Sequence, residues 1–90
     1  MQAIHDPGRF YVKTGHGEAE LLYNIERAKG IMSIYHTFVP DEDRGKGIAE
    51  VLALASFEYA IKEGLKVRPD CPYINHFLEK HKELQKYSTT

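Results

Sequence analysis

The segment from Gly47 to Glu63 sets the strongest limit on what this chain can become. Between Val51 and Ile61 only Ser56, Glu58 and Tyr59 carry polar groups. Gly64 follows as a C-terminal stop. A helix that is apolar most of the way round is expected to be largely buried. Ninety residues have room for one such core and not for two, so a single domain over residues 1–90 is expected.

What precedes the helix alternates instead of turning. Arg9 to Thr14 forms a strand with Phe10 and Val12 on one face and Tyr11 and Lys13 on the other. Glu18 to Arg27 is the clearest strand: Leu21, Tyr23 and Ile25 alternate with polar neighbours. Ala28-Lys29-Gly30 closes a hairpin onto Ile31–Val39, where the alternation puts Met32, Ile34, His36 and Phe38 on one face. The three strands make an antiparallel meander. Leu65 to Arg68 is a short strand after the helix. A strand, crossover helix and strand favour parallel pairing with a right-handed connection. A second helix, Tyr73–His81, places Ile74, Phe77, Leu78 and His81 on one face, with Pro72 at its first position. Lys82 to Tyr87 is an extension of that helix, Met1 to Gly8 a polar lead-in, and Ser88-Thr89-Thr90 a fraying end. The fold class is therefore α+β, in the order β-β-β-α-β-α.

Composition bounds the function. A formal net charge of -1 gives no support to a nucleic-acid binder of the basic-patch type. No apolar run approaches the roughly 20 residues of a membrane span, and Met1 to Arg9 lacks the apolar stretch of a signal peptide. One cysteine precludes an internal disulfide and fits a reducing, cytoplasmic setting. No strong exposed apolar stripe is evident, so a monomer is expected. His5 and His16 stand in polar segments, and His76 and His81 are five apart, a poor spacing for one helical face. With Cys71 they make no zinc pattern, so no metal is expected.

The chemistry concentrates at Val39-Pro40-Asp41-Glu42-Asp43-Arg44-Gly45-Lys46-Gly47-Ile48-Ala49. Glycines let a backbone approach a ligand closely. The first helical turn offers free N–H groups at the positive end of the dipole. Such a loop suits an anion, with Arg44 and Lys46 adding charge-assisted contacts. Asp41, Glu42 and Asp43 partly cancel that charge, and a solvated acidic turn is the competing interpretation. Arg44-x-x-Gly47-x-Ala49 resembles the Q/R-x-x-G-x-G/A signature of the GNAT acetyltransferases. Val39-Pro40 and Leu65-Lys66-Val67-Arg68-Pro69-Asp70-Cys71-Pro72-Tyr73 are similar to the small stand-alone branch of that superfamily. The chain departs from that branch at Lys82, where a proline is common.

The resemblance implies a minimal GNAT-like fold and acetyl-CoA as co-substrate. It implies pyrophosphate contacts from Arg44, Gly45, Lys46, Gly47, Ile48 and Ala49, and thioester contacts from the backbone N–H groups of Phe38 and Val39. It also makes Cys71, His36 and Tyr73 candidate catalytic residues: acyl acceptor, general base, and proton donor to the CoA thiolate. Each has a structural alternative: a small buried residue closing a turn, a satisfied core histidine, and a half-buried ring. Acetyl transfer by direct amine attack and transfer through Cys71 are both open. So is the acceptor: a protein lysine, a polyamine or a small metabolite. A non-catalytic CoA-binding or partner-binding module with the same fold is the alternative. Lys80, Lys82 and Lys86 make a solvated face, and one of them is a candidate contact to the CoA phosphates.

Overall fold

The structure, a computed structural model, describes residues 1–89. Five strands form one sheet in the order β1-β2-β3-β4-β5. They are β1 (Ile4–Asp6), β2 (Arg9–Thr14), β3 (Gly17–Glu26), β4 (Ile31–Phe38) and β5 (Lys66–Pro69). The first four are antiparallel neighbours, and β5 runs parallel to β4. Helices α1 (Ile48–Lys62) and α2 (Pro72–Lys80) complete the chain, with a 3-10 turn at Asp41–Asp43 ahead of α1.

The meander has four strands where periodicity indicated three. Ile4-His5-Asp6 is too short and polar to show alternation, yet it pairs with Arg9–Tyr11 through the Pro7-Gly8 turn. Its anchor is His5, which stacks on Phe10 at 4.0 Å between centroids and bonds to the Tyr23 hydroxyl. Burial lowers the His5 pKa, against the smaller opposing effect of Asp6. The imidazole therefore belongs to the aromatic cluster as a neutral ring.

The core lies between one face of the sheet and the two helices. Phe10, Val12, Ala19, Leu21, Tyr23, Met32, Ile34 and Val67 come from the sheet; Leu52, Ala53, Phe57 and Ala60 come from α1. Ile74, Phe77 and Leu78 of α2 close the flank. α1 is less enclosed than its composition suggests: Leu54 and Ile61 are 42% and 39% exposed. With sheet on one side and α2 on another, the third side of α1 is left uncovered among the described residues. Ser56 lies inside because its hydroxyl donates to the Ala53 carbonyl at 2.7 Å.

Two departures from alternation shape the site. In β4 the pairing passes from Tyr23↔Ile34 to Leu22↔His36, so Tyr35 is an extra residue at a bulge. A one-residue slip moves every later side chain to the other face. Thr37 is thereby paired with the core residue Leu21, while His36 pairs with Leu22 and Phe38 with Glu20 on the open face. His36 and Phe38 are exposed and do not share the face of Ile34. The second departure is at β5, whose pairing ends at Ile34↔Pro69. Beyond it β4 continues without a parallel partner, and the chain turns through Asp70 and Cys71 into α2. The Asn75 amide fixes this turn by donating to the Pro69 carbonyl at 3.1 Å.

The C-terminal segment is 3-10 at Lys82–Tyr87 and not a continuation of α2. The chain leaves helical geometry at His81 (φ -114°, ψ 68°). It then returns to the sheet: Ser88 bridges Val67, and the Thr89 N–H donates to the Val67 carbonyl at 2.9 Å. Ser88 is buried and Thr89 is tied down, where fraying was expected. Thr90 lies outside the described residues. Among the described residues no helix is long and apolar enough to cross a membrane.

Candidate functional site

A cavity of about 550 Å³ opens where β4 and β5 part company. One wall is the end of β4, at Thr37 and Val39. The floor is the loop to α1, with Arg44, Gly45, Gly47, Ile48 and Ala49. The other wall is α2 and its end, with Tyr73, His76, Phe77, Lys80 and His81. Gly45 and Gly47 both have left-handed backbone, at φ +81° and +79°. That conformation is costly for a side chain with a Cβ. Gly47 is the N-cap of α1 and has no side chain to offer its first-turn N–H groups. A Cβ built on either glycine would meet no atom within 4 Å, so the space above the loop is open.

The sequence-derived candidates divide by position. Val39, Arg44, Gly45, Gly47, Ile48, Ala49 and Tyr73 line the cavity. Phe38, Lys46 and His36 do not. The His36 ring is on the open face of the sheet, 3.6 Å from the Glu20 carboxylate. Lys46 is turned toward Asp43, 3.2 Å away. Cys71 is buried behind the wall, its thiol donating to the Thr37 hydroxyl at 3.4 Å. Tyr73 has its pKa raised by burial and then by the charge of Glu50, so its phenol stays protonated at neutral pH.

Asp43, Thr37, Glu50, His76 and His81 were not assigned to the site by the sequence, and of the three lysines set beside the CoA phosphates only Lys80 lines the cavity. Thr37 was hidden by the bulge. His76 and His81 reach one cavity despite their spacing because His81 lies beyond the last helical residue. There it stacks on Phe77 and meets Glu50 of α1 at 3.0 Å. Among the described residues no group of three or more His, Cys, Asp or Glu is arranged to hold a metal ion.

Asp43 fastens the loop. It is 2% exposed, and its Oδ1 receives His16 and Lys46, each at 3.2 Å. The Thr14 hydroxyl nearby, then His16 and Lys46, hold its carboxyl down to about 2, against burial acting the other way. The Thr14 hydroxyl also lies 3.1 Å from the Gly17 carbonyl, and Asp43 Oδ2 has no hydrogen-bond partner among the described residues. The contact joins the β2–β3 turn to the loop of the cavity. A depressed carboxyl pKa contributes stability above its ordinary value of 3.8, and that contribution is lost as pH falls through about 2. Asp70, lowered by Ser33 and then by Arg68, has the same sign. Urea midpoints are therefore expected to fall as pH is lowered from about 4 to about 2. In Asp43→Asn the fall should be shallower and start from a less stable protein. Identical slopes in the two proteins would remove Asp43 from this role.

Comparison with known proteins places this geometry. A family model described as GCN5-related N-acetyl-transferase matches residues 9–87. The chain belongs to the GCN5-related N-acetyltransferase family. It is 38% identical over 85 residues to Protein NATD1 of Gallus gallus, covering 90% of this chain and 76% of that protein. It is 39% identical over 66 residues to Protein NATD1 of Homo sapiens, covering 73% of this chain and 58% of that one. The match thus spans less than two thirds of the human relative. A solution structure of a GCN5-like candidate N-acetyltransferase from Staphylococcus aureus superposes with a TM-score of 0.78 at 28% identity. It covers 97% of this chain and 86% of that one. The mixed sheet, with β5 parallel to β4, matches the GNAT fold of that structure.

Proposed function

We infer that the chain binds acetyl-CoA in the cavity at the end of β4 and transfers the acetyl group to an amine. The observation that carries this is one cavity lined together by the glycine loop, the first turn of α1 and the end of β4. It joins a glycine-rich floor to a strand end beyond the last pairing with β5, which suits a ligand with a pyrophosphate and a thioester. The empty volume over Gly45 and Gly47 fits the pyrophosphate. In this reading Ile48 and Ala49 supply first-turn N–H groups to the pyrophosphate, and Val39, which lines the cavity, supplies an N–H to the acyl carbonyl. Tyr73, protonated and half-buried, is a proton donor for the departing thiolate.

His36 is separated from this cavity by the thickness of the sheet, so it serves as a base only toward an acceptor approaching over the open face. The acceptor is an amine with a neutral nitrogen at the moment of attack. Titration calorimetry of the intact chain with CoA, acetyl-CoA and ATP tests the binding. Micromolar affinity for CoA and acetyl-CoA with none for ATP is expected. Binding of ATP alone would assign the loop to another phosphorylated ligand. CoA release with amine acceptors, followed by mass spectrometry of the products, then separates an acetyltransferase from a CoA-binding module.

Arg44 tests the floor. Its Nε donates to the Val39 carbonyl at 3.2 Å and it pairs with Asp41 at 3.3 Å, so it is already part of the loop. A charge-assisted contact is worth about 1.5–3 kcal/mol, but at 64% side-chain exposure the lower end applies. Arg44→Ala is expected to weaken CoA binding about tenfold, roughly 1.4 kcal/mol, with little change in melting temperature. Full retention of affinity would detach Arg44 from the ligand.

A further inference from the structure

Thr37 has not been given a role so far, and three observations converge on it. The bulge at Tyr35 brings its side chain to the helix-facing side of β4, opposite Leu21. It lines the cavity beside Val39, at the strand end where the acyl group belongs. Its oxygen accepts a hydrogen bond from the Cys71 thiol at 3.4 Å. A threonine hydroxyl has one hydrogen to donate. With Cys71 donating to the oxygen, that hydrogen is left over, and among the described residues no group accepts it. The cavity is the remaining direction.

Cys71 completes the argument by where it is not. It is 6% exposed and does not line the cavity, whereas Thr37 does. The thiol therefore meets the cavity through the hydroxyl. A nucleophile must reach the reacting carbon at about 3–3.5 Å, and Thr37 stands in between.

Resting on the acetyl-CoA reading above, we propose that the Thr37 hydroxyl donates a hydrogen bond to the carbonyl oxygen of the bound acetyl thioester, with Cys71 as the positioning residue that orients it. Thr37 is then a catalytic residue for direct amine attack. It stabilises the negative charge that gathers on that oxygen, beside the backbone N–H groups at the strand end. Cys71 carries no acyl group in this arrangement. Its thiol holds the hydroxyl in one rotamer, leaving the hydrogen aimed at the substrate.

The test uses the intact chain with acetyl-CoA labelled with carbon-13 at the acetyl carbonyl, and with CoA as the reference ligand. Infrared difference spectra should show the carbonyl band of bound acetyl-CoA moved to lower frequency than in water. Thr37→Val should return the band upward and reduce acetyl-CoA affinity about three- to tenfold, with CoA affinity unchanged. Thr37→Ser should restore both. Cys71→Ser should keep the shifted band because its hydroxyl also donates, whereas Cys71→Ala should broaden it and move it partway back. The proposal is overturned if Thr37→Val leaves the band and the acetyl-CoA to CoA affinity ratio unchanged. It is also overturned if intact-mass spectra show an acetyl group on Cys71. Wild-type protein that binds neither ligand would instead bring down the acetyl-CoA reading, and the proposal with it. CoA binding retained in Thr37→Val keeps the two failures apart.

Discussion

Phe57→Ala is expected to bring the protein close to the limit of stability. Phe57 is 1% exposed on α1, and its ring lies 5.6 Å from that of Phe77 on α2. This pair joins the crossover helix to the helix that walls the cavity. Emptying a buried phenylalanine site costs about 3–5 kcal/mol, against roughly 5–15 kcal/mol for the stability of a whole domain. The melting temperature should fall by roughly 15 °C or more. Leu54→Ala, on the exposed side of the same helix, should change stability by only about 0.5 kcal/mol. Urea melts of both variants decide the matter. Similar midpoints for the two would mean that α1 is not packed as described.

Gly47→Val should lower CoA affinity more than any other single change in the loop. Gly47 holds φ at +79°, which costs a β-branched residue about 1–3 kcal/mol of backbone strain. A Cβ at this position meets no atom within 4 Å in the free protein, so backbone strain dominates the loss of stability. The occupied site differs, because the branched side chain fills the volume needed by the pyrophosphate. A loss of CoA affinity of about a hundredfold, roughly 2.7 kcal/mol, is expected. Gly64 supplies the control. Its φ is +71° and the space around it is equally open, but it lies at the other end of α1. Gly64→Val should bring a comparable loss of stability with CoA affinity intact. Equal affinities for the two variants would show that the loop is strained without being a binding site.

How far these features could be read in advance depended on the range of the forces behind them. α1, α2 and the alternation of β2 and β3 are written locally, in apolar spacing and in the glycines and proline at their ends. The Arg44-to-Ala49 loop was legible because it is contiguous in sequence. β1 was not, since its three residues are held by His5 against Phe10 and Tyr23, contacts that no short window contains. The bulge was equally invisible. His36-Thr37-Phe38 continues a regular alternation on paper, and only the pairing with β3 shows that Tyr35 stands outside the ladder. The wall contributed by α2 was partly misjudged for a related reason: helical spacing does not apply to His81 once the chain leaves the helix. The family likeness located the loop and the Cys71 turn but could not say which side of β4 faced them.

The bulge also makes the cavity depend on the register of β4 as well as on the kind of its residues. Removing Tyr35 alone would let β4 pair without interruption. His36, Thr37 and Phe38 would keep their partners Leu22, Leu21 and Glu20, and with them their present faces, because Tyr35 is the residue outside the ladder. Drawing Tyr35 into the ladder with nothing removed would instead turn His36 and Phe38 toward α1 and Thr37 outward, so a slip of one residue exchanges the whole set of groups presented to a ligand, whereas a substitution changes only one.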